Sequence, residues 1–310
     1  MRIIEDQEIR NLNISPKTCV EWAKEALMLK YDSIMPSKKA LHLPGSMDFF
    51  TPMPCLLPKE YKRYGCKVVS RFSVSHPSVK SYMMLCDSTN GDFLSLVNSD
   101  WITSKRTGAV AALSILTYRK SNAKVYSFMG LGNAGTAALE CFLASTETEH
   151  PTVRLLRYKD HAEKAIEKFK RYKNVQFEIV DSVDDLVRNA DVVVSAITCA
   201  ENLLVEDISL FKPGVLLVPI HTRGFQNCDT VFDKIFGDDT GQIEGFQYFS
   251  RFRSFHEFSE VLLGKFPGRE NDDERIIAYN IGLGLLDVFY ATQIEKLIEI
   301  TPPRFQLVDN

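Results

Sequence analysis

The seven cysteines stand at positions 19, 55, 66, 86, 141, 199 and 228, and no two of them form a Cys-x-x-Cys unit. Their spacing excludes a zinc knuckle or a thioredoxin-type motif and reads as buried thiols in a reducing cytoplasm. Histidines 42, 76, 150, 161 and 256 likewise show no metal-ligand spacing. No apolar run approaches the roughly 20 residues that span a bilayer, so no membrane partner is expected. The opening "MRIIEDQEIRNL" lacks an apolar h-region, so it is not expected to be a secretory signal. With 37 basic against 40 acidic residues, a net charge of −3, there is no basic surplus to attract nucleic acid. Repeats and low-complexity tracts are absent too. What is present is an ordinary globular composition, 45% hydrophobic and 25% charged, over 310 residues, a length that favours two domains.

From Lys124 onward, strand and helix patterns alternate. "KVYSFM", "TVRLLRY", "VQFEIV", "DVVVSAI" and "KPGVLLVPI" read as strands, separated by the helical stretches "NAGTAALECFLAS", "DHAEKAIEKFKRY" and "SVDDLVRNA". Asp160 and Ser182 are placed to cap the last two. Such alternation predicts an α/β fold with a doubly wound parallel sheet. Before Lys124 the texture is β-rich, with a hairpin signal at "DSTNGD" and a helix at "SPKTCVEWAKEALML", where Ser15 caps and Pro16 fits the first turn. The long pattern "DERIIAYNIGLGLLDVFYATQIEKLIE" predicts a helix that returns to this first region. The expected division is therefore a discontinuous domain, 1–118 and 286–310, around an α/β domain at 119–285.

Within "KVYSFMGLGNAGTAAL" the glycines follow G-x-G-x-x-G between the first strand and first helix of a βαβ unit. Gly130 permits the turn, Gly132 admits a pyrophosphate, and Gly135 lets helix and strand approach; the helix N-terminus then faces the phosphates. A plain packing turn and a methyl-donor nucleotide site are the competing readings. An acid at the end of the second strand would hold the ribose hydroxyls. The chain instead has Arg157, Tyr158 and Lys159, which suit a 2′-phosphate and an adenine stack, or simply form a solvated basic strand end. NADP(H) is thus expected over NAD(H).

Upstream stands "WITSKRTGAVAALS", a T-x-x-R-T element before a small-residue helix. With "MPSK", "TPMPC", "YGCKVVS", "SAITCAENLL", "KPGVLLVPI" and "EFSEVLLGKFPGRENDDERIIAYNIGLGLLDV" in this order, nearly the whole chain resembles the ornithine cyclodeaminase/mu-crystallin family. That resemblance implies a Rossmann domain paired with a β-rich substrate and dimerisation domain, and hence a homodimer. It implies a nicotinamide nucleotide lined by Thr107, Gly130, Gly132, Asn133, Ala134, Gly135, Thr198 and Val218. It places Lys38, Lys67 and Arg106 around an amino-acid-like or imine substrate.

The chemistry of these cations is consistent with that role. A guanidinium fork binds an α-carboxylate bidentately, which assigns the clamp to Arg106. A desolvated Lys67 would exchange a proton with the reacting nitrogen. Two positions depart from the family pattern: Lys38 stands where an arginine is usual. In "VPIHTRGF", His221 stands where cyclodeaminases carry an aspartate, and an imidazole does not attract a substrate ammonium. His221 is instead a candidate acid or base in contact with substrate. The sequence thus predicts an oxidoreductase that reduces an imine or ketimine, or oxidises the matching amine, including opine-like secondary amines. A cyclodeaminase with internally recycled nucleotide and a non-catalytic nucleotide and small-ligand binder are the alternatives.

Overall fold

The computed structural model describes residues 1–75, 77–198 and 200–300, so His76 and Cys199 lie outside the described residues. Two compact units are found: Met1–Ile14, Asp32–Ile102 and the chain from Gly284 form one, and Ser15–Tyr31 with Thr103–Leu283 form the other. In chain order the helices are α1 (Asp6–Asn11), α2 (Pro16–Met28), α3 (Asp100–Tyr118), α4 (Asn133–Ser145) and α5 (His161–Phe169). They continue with α6 (Val183–Val187), α7 (Thr240–Ile243), α8 (Phe258–Leu262) and α9 (Gly284–Ile300).

The first unit is built on a six-stranded sheet of β1 (Arg2–Ile4), β2 (Leu41–His42), β3 (Phe49–Leu56), β4 (Arg63–Arg71), β5 (Val79–Asp87) and β6 (Phe93–Asn98). Their order is β1-β6-β5-β4-β3-β2; β1 runs parallel to β6 and the other pairings are antiparallel. The "DSTNGD" segment is the β5–β6 hairpin, with Gly91 at φ 82°. Strand β3 escaped sequence reading because Pro52 and Pro54 interrupt it. Only Phe49 and Phe50 pair with the two-residue β2, so beyond Phe50 the strand runs along a sheet edge, where a missing N–H is tolerated. Alternation is clear on β4 and β5, where Gly65, Lys67, Ser81, Met83 and Leu85 are buried while Val68 and Tyr82 are exposed. The buried face receives α9: a methyl group at Gly65 would come within 2.8 Å of Val288.

The second unit carries an eight-stranded sheet. It comprises β7 (Val125–Met129), β8 (Thr152–Leu156), β9 (Gln176–Val180), β10 (Val192–Ser195), β11 (Leu216–Pro219), β12 (Lys234–Gly237), β13 (Phe255–Glu257) and β14 (Ile276–Tyr279). The order is β13-β12-β14-β11-β10-β7-β8-β9 and every pairing is parallel. The α/β parallel sheet expected from the alternation is what is observed, since β10, β11, β12 and β14 are buried along their whole length. Ser15 and Ser182 accept from the N–H groups of Thr18 and Asp185, so both predicted caps form. The Asp160 side chain does not cap; it pairs with Lys164 at 2.8 Å instead.

Two further expectations are corrected. The stretch from Asp273 is not one helix: "IIAY" enters the sheet as β14 between β11 and β12, and Gly282, at φ 95°, turns the chain before α9 begins. Residues 15–31 join the second unit, because the buried side chains of α2 (Cys19, Val20, Ala23, Ala26 and Leu27) pack toward α4 and α8. Phe246, Phe249, Phe252 and Phe255 pack against the core, with Phe249 edge-on to both Phe252 and Phe255.

Candidate functional site

In the second unit, β7 ends at Met129 and the chain turns through Gly130, at φ 79°, into α4. The three glycines are there for three different reasons. A side chain at Gly130 would strike the backbone of Ala196 and Ile197, and its backbone angle disfavours any other residue. A side chain at Gly135 would strike the carbonyl of Gly130, so this glycine lets helix and strand touch. At Gly132 a methyl group would meet no protein atom within 4 Å. Gly132 occupies the N-cap position of α4, where no side chain caps the first turn, and Asn133 beside it is exposed. A glycine with open space before it, at an uncapped helix start, is shaped for close approach of an anion such as a diphosphate. Gly108 of α3 packs against the backbone of Ala137 and Ala138, which fixes the turn from behind.

The tip of β8 is less open than its sequence suggests. Arg157 is exposed, but its guanidinium donates to Asp181 at 2.6 Å and also pairs with Glu163. Lys159, at φ 51°, lies over the ring of the exposed Tyr158 at 5.4 Å. Two acids that the strand pattern did not bring to this tip therefore offset its cations.

Arg106 and Thr107 lie one after the other on α3. Arg106 is buried, and its guanidinium packs against Gly282, whose φ of 95° disfavours any other residue. The N–H of Gly282 in turn donates to Asp238 at 2.6 Å. Asp238 is fully buried, and Asp239 pairs with Lys30 at 3.1 Å. Thr107 is half-buried, Thr198 is exposed, and Val218 is wholly buried within β11, beside Val194 of β10. His221 follows β11 at the carboxyl edge of the sheet. Its Nε2 lies 2.6 Å from Oγ of Ser195, the last residue of β10 and itself fully buried. Its Nδ1 is buried. Burial pushes the imidazole below its usual value, with a hydrogen bond to the Arg223 backbone acting the other way.

In the first unit, Lys67 of β4 sits on the buried sheet face in register with Met53 and Met83. Sequence reasoning expected a desolvated lysine among apolar neighbours. It missed the counter-ion: Asp287, in the first turn of α9, lies 2.8 Å from Lys67 Nζ, and both side chains are fully buried. A lone acid inside the apolar "GLLDVFY" was the available signal. Lys38 lies half-buried in the irregular segment before β2.

The model of the ornithine cyclodeaminase/mu-crystallin family matches residues 6–300. Nodulation efficiency protein NfeD of Rhizobium meliloti is 26% identical over 277 residues, covering 85% of this chain and 84% of that one. Delta(1)-pyrroline-2-carboxylate reductase of Bacillus cereus is 25% identical over 325 residues, covering 96% and 97%. Among solved structures, Delta(1)-pyrroline-2-carboxylate reductase of Thermococcus litoralis, in complex with NADH and L-proline, superposes with a TM-score of 0.85 at 20% identity, covering 96% of this chain and 98% of that one.

Proposed function

The chain belongs to the ornithine cyclodeaminase/mu-crystallin family, and from that premise we propose that it is a nicotinamide-nucleotide-dependent oxidoreductase acting on the carbon–nitrogen bond of an amino-acid-like substrate. A cyclic imine bearing a carboxylate, as in the name of the Bacillus relative, is the substrate class we favour. The observation that carries the reading is Gly132, whose missing side chain leaves space that the fold itself does not use.

The unit with the parallel sheet would hold the nucleotide, its diphosphate on the N–H groups of Gly132, Asn133, Ala134 and Gly135, with Thr107, Thr198 and Val218 near it. The bound nucleotide supplies a hydride to the imine carbon. The residues of the chain do the rest. Arg106 clamps the substrate carboxylate, with Lys38 as a second cation. Lys67 donates a proton to the imine nitrogen, so that imine, hydride and proton balance to an amine. His221, its Nε2 against Ser195 Oγ at the carboxyl edge of the sheet, is the second candidate for that proton.

NADP(H) is preferred over NAD(H) through Arg157 and Lys159, with Tyr158 against adenine. Because Asp181 and Glu163 hold Arg157, a 2′-phosphate has to compete with two carboxylates, which keeps the preference modest. The other unit would carry substrate and subunit contacts as a homodimer; the exposed sheet face with Phe50, Val68, Tyr82 and Ile3 is apolar enough to want a partner. The described cysteines are all free thiols, which suits the cytoplasm.

The test is to add NADPH or NADH with Delta(1)-pyrroline-2-carboxylate and follow loss of the reduced nicotinamide. Turnover with proline as product supports the reading. Tight nucleotide binding without turnover across a panel of cyclic imines and amino acids would favour the non-catalytic binder.

A further inference from the structure

We propose that Asp287 is the positioning residue of the proton-transfer step: it keeps Lys67 in its ammonium form and aims it, without touching substrate. This rests on the reading of Lys67 as the proton donor. A lysine buried without a counter-charge gives up its proton, and so becomes an acceptor rather than a donor. Asp287 prevents that at 2.8 Å, with both side chains closed to solvent.

The aim is set by the way α9 sits on the sheet. At its start, a methyl group on Gly284 would come within 2.9 Å of the Met53 carbonyl and 3.0 Å of the Pro54 carbonyl, so the helix rests directly on β3. Val288, next after Asp287, fills the space above Gly65, two residues before Lys67 on the same face of β4. Carboxylate and ammonium are therefore held by two glycine contacts, one on each strand. Among the described residues, Cys55 on β3 interacts with Asp287, and Tyr290 and Glu295 are further ionisable groups buried along α9. Glu295 is committed to Arg63 at 2.8 Å and Ser95 at 3.0 Å.

In the reaction, an N–H bond of Lys67 breaks as the imine nitrogen takes the proton, leaving the electron pair on Nζ. Once product has left, a proton entering through the vacated substrate site restores the ammonium, which Asp287 favours over the neutral amine.

Asp287→Asn keeps the size and removes the charge. In the full-length protein, kcat for Delta(1)-pyrroline-2-carboxylate is expected to fall about 100-fold near neutrality, the scale of a general acid. The nucleotide KM should stay within about twofold, a split that general loosening of the fold does not produce. Activity should recover as pH is lowered, and Asp287→Glu should recover part of kcat at all pH values. Independently of activity, lysine labelled with 13C at Cε reports the charge of Lys67. It should stay charged across the neutral range in the natural protein and titrate within it in Asp287→Asn. Matching Lys67 titrations in the two proteins would overturn the proposal, as would an unchanged kcat in Asp287→Asn. If Asp287→Asn does not fold, Asp287→Glu decides: a lowered kcat with Lys67 still charged supports positioning, and full kcat overturns it. A natural protein that reduces no imine would instead count against the function proposed above, and the labelled-lysine comparison would still decide the role of Asp287.

Discussion

Gly132 separates what the fold needs from what a ligand needs. Its backbone angle, φ −77°, suits any residue, and a methyl group there meets no described protein atom within 4 Å. Gly132→Val should therefore leave stability within about 1 kcal/mol, measured by urea unfolding, while nucleotide affinity measured by titration falls at least ~10-fold, a loss of about 1.4 kcal/mol. Gly130→Val is the control and should destabilise the chain itself, because both space and backbone angle forbid it. At the β8 tip, Arg157→Asp should weaken NADPH more than NADH in the same titration; equal losses would remove the preference for the phosphorylated nucleotide. Asp229 offers a stability test. It is fully enclosed with the Tyr279 hydroxyl donating at 2.7 Å, and burial raises its carboxyl from 3.8 to about 6, partly opposed by that hydrogen bond. Below pH 4 both folded and unfolded chains hold this proton. Between about 4 and 6 only the folded chain does, and stability falls by roughly 3 kcal/mol as pH rises through that window. Asp229→Asn should flatten this slope in urea unfolding at graded pH.

Among the elements, the strand and helix patterns after Lys124 were readable because each strand is a short apolar run and each helix an amphipathic one, punctuated by caps. The exceptions have physical causes. Strand β3 hides behind two prolines that only an edge tolerates. Strand β14 and α9 looked like a single helix because "IIAY" is apolar on every side, as a strand buried on both faces must be. Asp191 shows how loops hold these strands in place. Its carboxylate accepts from the N–H groups of Lys124 and Val125 at the start of β7 and pairs with Lys120 and Lys212. Burial alone would raise its carboxyl, but Lys212, the two N–H groups and Lys120 together lower it to about 2. The stabilisation is complete above about pH 4 and is lost as pH falls through 2, roughly 2 kcal/mol in all. Asp191→Asn should lose that acid-dependent part, which unfolding curves at pH 2 and pH 6 would reveal.

For the whole molecule, the exposed face of the six-stranded sheet carries apolar side chains. Pro52, Val68 and Tyr82 stand side by side across β3, β4 and β5, with Val68 44% and Tyr82 47% exposed. If this face joins two copies, Val68→Glu with Tyr82→Lys should convert a dimer to a monomer in sedimentation equilibrium while leaving helix and strand content unchanged. A natural protein that sediments as a monomer would remove the homodimer from the proposal.

The sequence by itself determined the α/β class, the glycine turn, the helix caps at Ser15 and Ser182, and the family. All of these are local: a period of hydrophobicity, a backbone angle or an ordered set of short motifs is written in neighbouring residues. Tertiary structure alone decided the partners. Lys67 and Asp287 lie 220 positions apart in the chain and 2.8 Å apart in space. Ser195 meets His221 from another strand, and Asp181 reaches Arg157 from the next one. Such pairs follow from strand order and from the seat of a helix on a sheet, and charge or burial at one residue carries no mark of which distant residue will answer it.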